Sequence, residues 1–381
     1  MKSLNKSNII SFVLLFWFWF VYFISGMQRF RSVLIYSLAL FPCCVNFNEI
    51  KSSDYKYFSN IFSNIMNAFS LYGIFQIFYR YSSTIKNISG LGNLIITNHM
   101  TLGYNWSNTI SLFGIYVERS NAIFLEPSVF SQLIAINILH LVFGSYSKKS
   151  KIIWLIVNSI AYICTFSGTG ILLLISVAIC LPLLEKSINI HEIIEKNFFL
   201  FICILTFIAI SSMFINIGEI IHYFSFRLSE IFDSSRSLTS GATRFRNSWV
   251  LLGDALNNNI FYGYGTVGTR ALKSIGISMS KESWVTDGNA FIQLGSQYGI
   301  VGLGIYLALL FSLKPKKGFQ HNDFQQIMWY SILVMNFLIG FGAFYFYFVY
   351  LMNFVIIDDQ LTPDYTENQN KHTHLCMGNK V

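Results

Sequence analysis

Apolar runs of about twenty residues, parted by polar turns, set the pattern of this chain. The first run covers about Asn8 to Ser25, and a turn with Arg29 and Arg31 leads to a second, about Val33 to Ile50. A third runs from about Tyr57 to Tyr79, and a fourth from about Ser128 to Tyr146. Ile152 to Leu184 holds two more, because Ser167-Gly168-Thr169-Gly170 breaks it into a hairpin. A seventh covers Asn197 to Ile217 and an eighth Asn289 to Leu313. The last block, Phe324 to Ile357, reads as two short helices turning at Gly340 to Gly342. Each run can cross a hydrocarbon core. The first lacks a small-residue cleavage site and is expected to be retained as a helix.

The pattern predicts an all-α, polytopic transmembrane bundle of about ten helices, a single integral membrane domain over 1–381. Two polar intervals interrupt it: a first segment at 80–127 and a long loop at 218–288. A polar tail follows at 358–381. Composition agrees, with 54% hydrophobic residues, 12% charged and a mean hydropathy of +0.51. A soluble domain carries about 25% charged residues. The net charge of +8 therefore reflects loops beside a membrane, not a nucleic-acid surface. Five of the six cysteines lie in apolar runs and Cys376 in the tail, with no metal or disulfide spacing.

Charge also orients the chain. With the cluster Lys314-Pro315-Lys316-Lys317 cytoplasmic, alternation places Lys148, Lys149, Lys151 and the N-terminus inside as well. Both polar intervals then lie outside. In this arrangement the inner loops use lysine alone and all nine arginines fall outside, Arg29 and Arg31 against the rule. Arginine's planar fork matches phosphate in bidentate fashion. The outer arginines Arg119, Arg236, Arg244, Arg246 and Arg270 are thus candidates for an anionic lipid-linked substrate. Equally, they could pair with the loop's own acids, since the long loop is nearly balanced in charge.

Within the long loop, Trp249, Leu252, Ala255 and Leu256 recur at helical spacing, which predicts a helix packed by that face on the membrane domain. Gly263-Tyr264-Gly265 then suits a tight turn or a close approach to a ligand. Asp287-Gly288-Asn289 stands at the mouth of the eighth helix, where Asp287 or Asn289 can cap it or hold substrate hydroxyls. Gly295, Gly299, Gly302 and Gly304 suggest close helix packing along it. Glu126-Pro127-Ser128 opens the fourth helix; the carboxylate suits the helix dipole there, or acts as a base or arginine partner. His99, His222, His372 and His374 read as loop or tail residues. No nucleotide-binding, zinc-protease or serine-hydrolase motif is present, and no cofactor is expected.

Three features together resemble the O-antigen polymerase (Wzy-type) and ligase superfamily. They are Arg119 followed by Leu125-Glu126-Pro127-Ser128-Val129-Phe130; Thr165-Phe166-Ser167-Gly168-Thr169-Gly170 at a hairpin; and the long loop with Arg244, Arg246, Trp249, Gly263-Tyr264-Gly265, Asp287-Gly288-Asn289-Ala290-Phe291 and Tyr298-Gly299-Ile300-Val301-Gly302. The resemblance implies a glycosyltransferase of the bacterial inner membrane, without nucleotide sugar or metal. It would join undecaprenyl-pyrophosphate-linked oligosaccharides on the periplasmic face. Its partners would be lipid, a flippase and a chain-length regulator. Arg244 and Arg246 would stabilise the pyrophosphate leaving group, with Glu126 or Asp287 as a base. Arg119, Arg236, Arg270, Tyr264 and Asn289 would bind substrate. Ligases carry a histidine before the final asparagine where this chain has Gly288, which favours polymerase over ligase. The Ser-Gly-Thr-Gly turn also lacks an arginine common in the family. A transporter or flippase of lipid-linked sugars is the reading from another class. It fits less well, because the spans carry almost no charge and no internal repeat is seen.

Overall fold

The structure, a computed structural model, describes residues 6–25, 30–44, 50–81, 109–112, 115–124, 126–143, 148–184, 248–265, 289–315, 319–338 and 356–357. The expected seventh span, the tail, and Arg236, Arg244, Arg246, Arg270 and Asp287 lie outside these residues, as do His99 and His222.

The described chain is helical. In order it forms α1 (Lys6–Ile24), α2 (Phe30–Cys44), α3 (Ser52–Tyr81), α4 (Pro127–Phe143), α5 (Lys148–Cys164), α6 (Gly168–Leu184), α7 (Ser248–Asn258), α8 (Ala290–Ser312) and α9 (Phe319–Leu338). Lys6–Ile24, Ser53–Tyr79 and Ala290–Ser312 are long and apolar enough to cross a membrane, and α4, α5 and α6 are shorter apolar helices. The chain is a helical membrane protein. Where the described residues cover them, the expected spans match these helices within a few residues. The second stops at Cys44, with Pro42 in its last turn.

Two small ribbons depart from the all-helical expectation. The first segment carries an antiparallel hairpin, β2 (Thr109–Leu112) with β3 (Ile115–Glu118). Strand β1 (Ile50–Lys51) pairs in parallel with β4 (Ile356–Ile357) at the start of α3.

Sequence periodicity decides which faces meet. In α1, Leu14, Phe18 and Val21 are fully buried, while Phe12, Phe16, Phe20 and Phe23 form an exposed stripe on the other side. Helix α4 is buried on every face from Phe130 to Leu141, and α3, α5, α6 and α9 surround it. Lipid tails are as apolar as leucine, so these helices associate through packing and interhelical hydrogen bonds. A knot of amides supplies such bonds. Asn137 Nδ2 donates to Asn67 Oδ1 at 3.1 Å and Asn158 Oδ1 at 3.0 Å. Asn158 Nδ2 donates to Asn67 Oδ1 at 2.7 Å, and Ser70 Oγ to Asn158 Oδ1 at 2.8 Å. Helices α3, α4 and α5 are thereby pinned at mid-length.

Helix α8 is not one straight rod. Gly299 has φ 69° and ψ −176°, and the helix breaks there. The rings of Phe291 and Tyr306 lie 6.4 Å apart, although fifteen residues of straight helix would span about 22 Å. The eighth span is therefore two helical pieces, a correction to the single helix expected.

Candidate functional site at one end of the bundle

Contacts fix which helix ends lie together. The start of α9 meets the end of α4 through Phe324 and His140, 4.7 Å between centroids. The end of α9 meets the start of α8 through Phe337 and Phe291, also at 4.7 Å. The end of α1 meets the 259–265 turn at Ser25 and Gly265. The start of α4, the ends of α1, α3 and α5, and the start of α8 thus share one end of the bundle. The described arginines Arg31, Arg80 and Arg119 fall on helix ends or segments at this end. Lys6, Lys51, Lys56, Lys148, Lys149, Lys151 and Lys314 fall at the other. At that far end Lys151 Nζ donates to Val142 O at 3.0 Å, which caps α4.

Two clusters occupy the arginine end. The first joins Arg119 and the segment after it to Thr165, at the break between α5 and α6, with Glu126 close by in sequence at the start of α4. Arg119 Nε donates to Thr165 O at 2.9 Å and Ser120 N to Cys164 O at 2.8 Å, so a cation sits on the negative end of α5. Gln76 of α3 holds the next residues. Its Oε1 accepts from Ser120 Oγ (3.1 Å), Asn121 N (3.2 Å) and Ala122 N (3.1 Å). Pro127 is the first residue of α4, as expected, and the Glu126 carbonyl accepts from Val129 N and Phe130 N. The exposed Glu126 carboxylate also accepts from Ser128 Oγ at 2.8 Å. Gly170 packs so tightly on α4 that a Cβ there would lie 2.6 Å from the Ser131 side chain.

The second cluster fills the break in α8 with the Gly-Tyr-Gly turn. Tyr264 N donates to Ser296 O at 2.9 Å and Gly265 N to Gln297 O at 2.8 Å. Ile300 N donates to Ile260 O at 2.9 Å, and Trp17 Nε1 to Tyr298 O at 2.9 Å. Backbone groups freed by the break thus find partners in the turn and α1, the condition for irregular backbone at membrane depth. Gly263, Gly265 and Gly299 all have positive φ and close packing. A Cβ on Gly299 would collide with the Phe261 carbonyl, and one on Gly263 with the carbonyl of Ser296.

Around this turn the structure differs from two expectations. Among the described side chains of α7 the buried ones are Leu251 and Ala255, whereas Trp249 is 59% exposed and Leu256 36%. The buried face is rotated from the Trp249–Leu256 line because α7 packs sideways on α8, with Leu252 over Gly295. Of the four glycines of α8, Gly295 and Gly302 admit close neighbours (Leu252 and Trp17), Gly299 makes the break, and Gly304 meets nothing.

Tyr264 Oη donates to Asp254 Oδ2 at 2.6 Å, and Asn258 Nδ2 donates to Asp254 Oδ1 at 3.1 Å. Burial first, then the bond to Asp254, hold the phenol above its ordinary titration range. Asn289 is 6% exposed and caps α8, its Oδ1 accepting from Ile292 N at 3.0 Å. Of the two candidates for that cap, the described one fills it.

The structure therefore places Arg119, Glu126, Tyr264 and Asn289 at the same end, each held by its own neighbours: Arg119 by Thr165, Glu126 by Ser128, Tyr264 by Asp254 and Asn258, and Asn289 by Ile292. Gln76, Asp254 and Asn258 were not singled out by sequence reasoning. A glutamine inside an apolar helix was the available signal for Gln76. No protein-family model matches this chain, and no curated protein matches it either.

Proposed function

We propose that this chain is an O-antigen polymerase. It joins oligosaccharide repeat units carried on undecaprenyl pyrophosphate, at the periplasmic face of the bacterial inner membrane. One observation carries the reading: the short motifs on which the family resemblance rests meet in pairs at the arginine end of the bundle. Arg119 lies on the Thr165–Gly170 turn, and Gly263-Tyr264-Gly265 lies on Tyr298-Gly299-Ile300. The split of lysines and arginines between the two ends supports this end as the outer one. The ends of the last apolar block support ten helices. Phe324 lies 6.3 Å from Tyr55, and Ile356–Ile357 pair with Ile50–Lys51, so both ends stand at the start of α3.

In this reading the acceptor hydroxyl attacks the anomeric carbon and pyrophosphate leaves with the bonding electrons. Arg244 and Arg246 offset the developing charge, with Arg119, Arg236 and Arg270 binding donor phosphates or sugar. Glu126 or Asp287 takes the hydroxyl proton. Tyr264 with Asp254 and Asn258 forms a polar edge for sugar hydroxyls, and Asn289 orders the mouth of α8. No cofactor takes part. The partners are a flippase that supplies substrate and a chain-length regulator.

The test is the lipopolysaccharide banding of a deletion strain. Deletion should leave core plus one repeat unit, and the wild-type gene should restore the ladder. Arg244→Ala and Glu126→Gln should restore little of it. An unchanged ladder on deletion would overturn the assignment. A second reading, a transporter of lipid-linked sugars, is favoured by the broken α8, because discontinuous helices line many transport sites. It predicts core with no repeat unit on deletion.

A further inference from the structure

Helix α7 carries an apolar flank that its packing on α8 leaves open. Leu251 and Ala255 are buried against α8, and Asp254, Asn257 and Asn258 make the polar flank. Between them Trp249 is 59% exposed and Leu256 36%, and the turn beyond exposes Ile260 (43%) and Phe261 (64%). This flank continues an exposed stripe on a helix apolar enough to cross a membrane. The second piece of α8 exposes Ile300, Gly304, Ala308 and Phe311, one stripe at helical spacing on a candidate membrane span. Ile300 tops that stripe, and its N–H is bonded to the carbonyl of Ile260, next to Phe261. The turn is held at the end of α1, where Gly265 meets Ser25 and where Phe20, Phe23 and Ile24 are exposed.

We infer that α7 is an interfacial helix, with Trp249, Leu256, Ile260 and Phe261 seated in the headgroup–acyl boundary of the leaflet at the arginine end. Continuity with the stripe of α8 selects phospholipid as the occupant. A tryptophan on such a flank suits a boundary that is apolar on one side and wet on the other. The polar flank then faces water, and the Tyr264–Asp254–Asn258 group sits at headgroup height. This inference is independent of the glycosyl-transfer reading.

Photocrosslinking tests it in the full chain, reconstituted in nanodiscs of phosphatidylethanolamine and phosphatidylglycerol. With p-benzoylphenylalanine at position 249 or 261, irradiation should attach phospholipid, read by peptide mass. Yield should be several-fold higher than with the same probe at position 257 on the polar flank. Adducts to this chain, to a second copy or to another protein, in place of lipid, would overturn the inference. So would equal lipid yield at 257. A second measurement needs no substitution. A phospholipid with a diazirine near its headgroup should label the wild-type peptide containing Trp249 to Phe261. Labelling confined to the α8 peptide containing Phe311 would also overturn the inference.

Discussion

The two clusters at the arginine end solve the same problem by different means. Each must hold irregular backbone against a helical bundle without stranding polar groups. Around Arg119 the work is done by side chains: Gln76 takes three donors of the Ser120–Ala122 segment, and the Arg119 guanidinium takes a carbonyl of the turn after α5. Around Gly299 backbone meets backbone, and glycines with positive φ allow the approach. A side-chain solution degrades one bond at a time. A backbone solution fails as a unit, because one added Cβ displaces the whole turn.

The largest effect should therefore come from Gly299→Val. Backbone at φ 69° and ψ −176° is essentially glycine-only and costs another residue about 1–3 kcal/mol, and the collision with the Phe261 carbonyl adds to it. Detergent extracts should yield no monodisperse protein by size-exclusion chromatography. Gln76→Leu strands the buried N–H groups of Asn121 and Ala122, while the Ser120 hydroxyl keeps Gly73 O, and should cost on the order of 3 kcal/mol, with the melting temperature lowered but the protein still folded. If it abolishes folding as Gly299→Val does, the contrast between the clusters is wrong. Asn158→Leu removes its bonds to Asn67, Asn137 and Ser70 and should cost about 1–2 kcal/mol in the same melt. Trp17→Phe keeps a ring but loses the donor to Tyr298 O, for about 1 kcal/mol.

The smallest effect is expected from Tyr264→Phe, read as the melting difference from wild type across alkaline pH. The folded phenol titrates above its unfolded value, so its contribution is fully present below the ordinary tyrosine range. It is lost as pH rises through the higher folded value. A constant difference across that range would show that the bond to Asp254 is not what stabilises the turn.

Much of the helical frame was legible because bilayer thickness writes itself into run length. The break in the Ile152–Leu184 run was legible too, but it falls at Thr165–Ser167, with Gly168 and Gly170 already in the first turn of α6, and α5 and α6 each pack on α4 and not on one another as a hairpin. The break at Gly299 was not. Gly295, Gly299, Gly302 and Gly304 look alike in sequence, and only the partner backbone from Ile260 to Gly265 selects one of them. The face of α7 was misread for a related reason. Trp249 and Leu256 are apolar, and periodicity alone does not distinguish a protein neighbour from lipid. The knot of Asn67, Asn137 and Asn158 escaped notice because each is one of several scattered polar residues in its run, with nothing in the run to single it out. Their meeting depends on how three helices pack.

The break in α8 also has an order of synthesis. Its partners are Trp17, Ile260, Tyr264 and Gly265, and every one of them precedes Gly299 in the chain. When the ribosome reaches Gly299, the groups that will receive the broken backbone have already been made. The 23 residues of Ala290–Ser312 can be delivered to the membrane as one apolar segment and bend onto a receiver that is waiting.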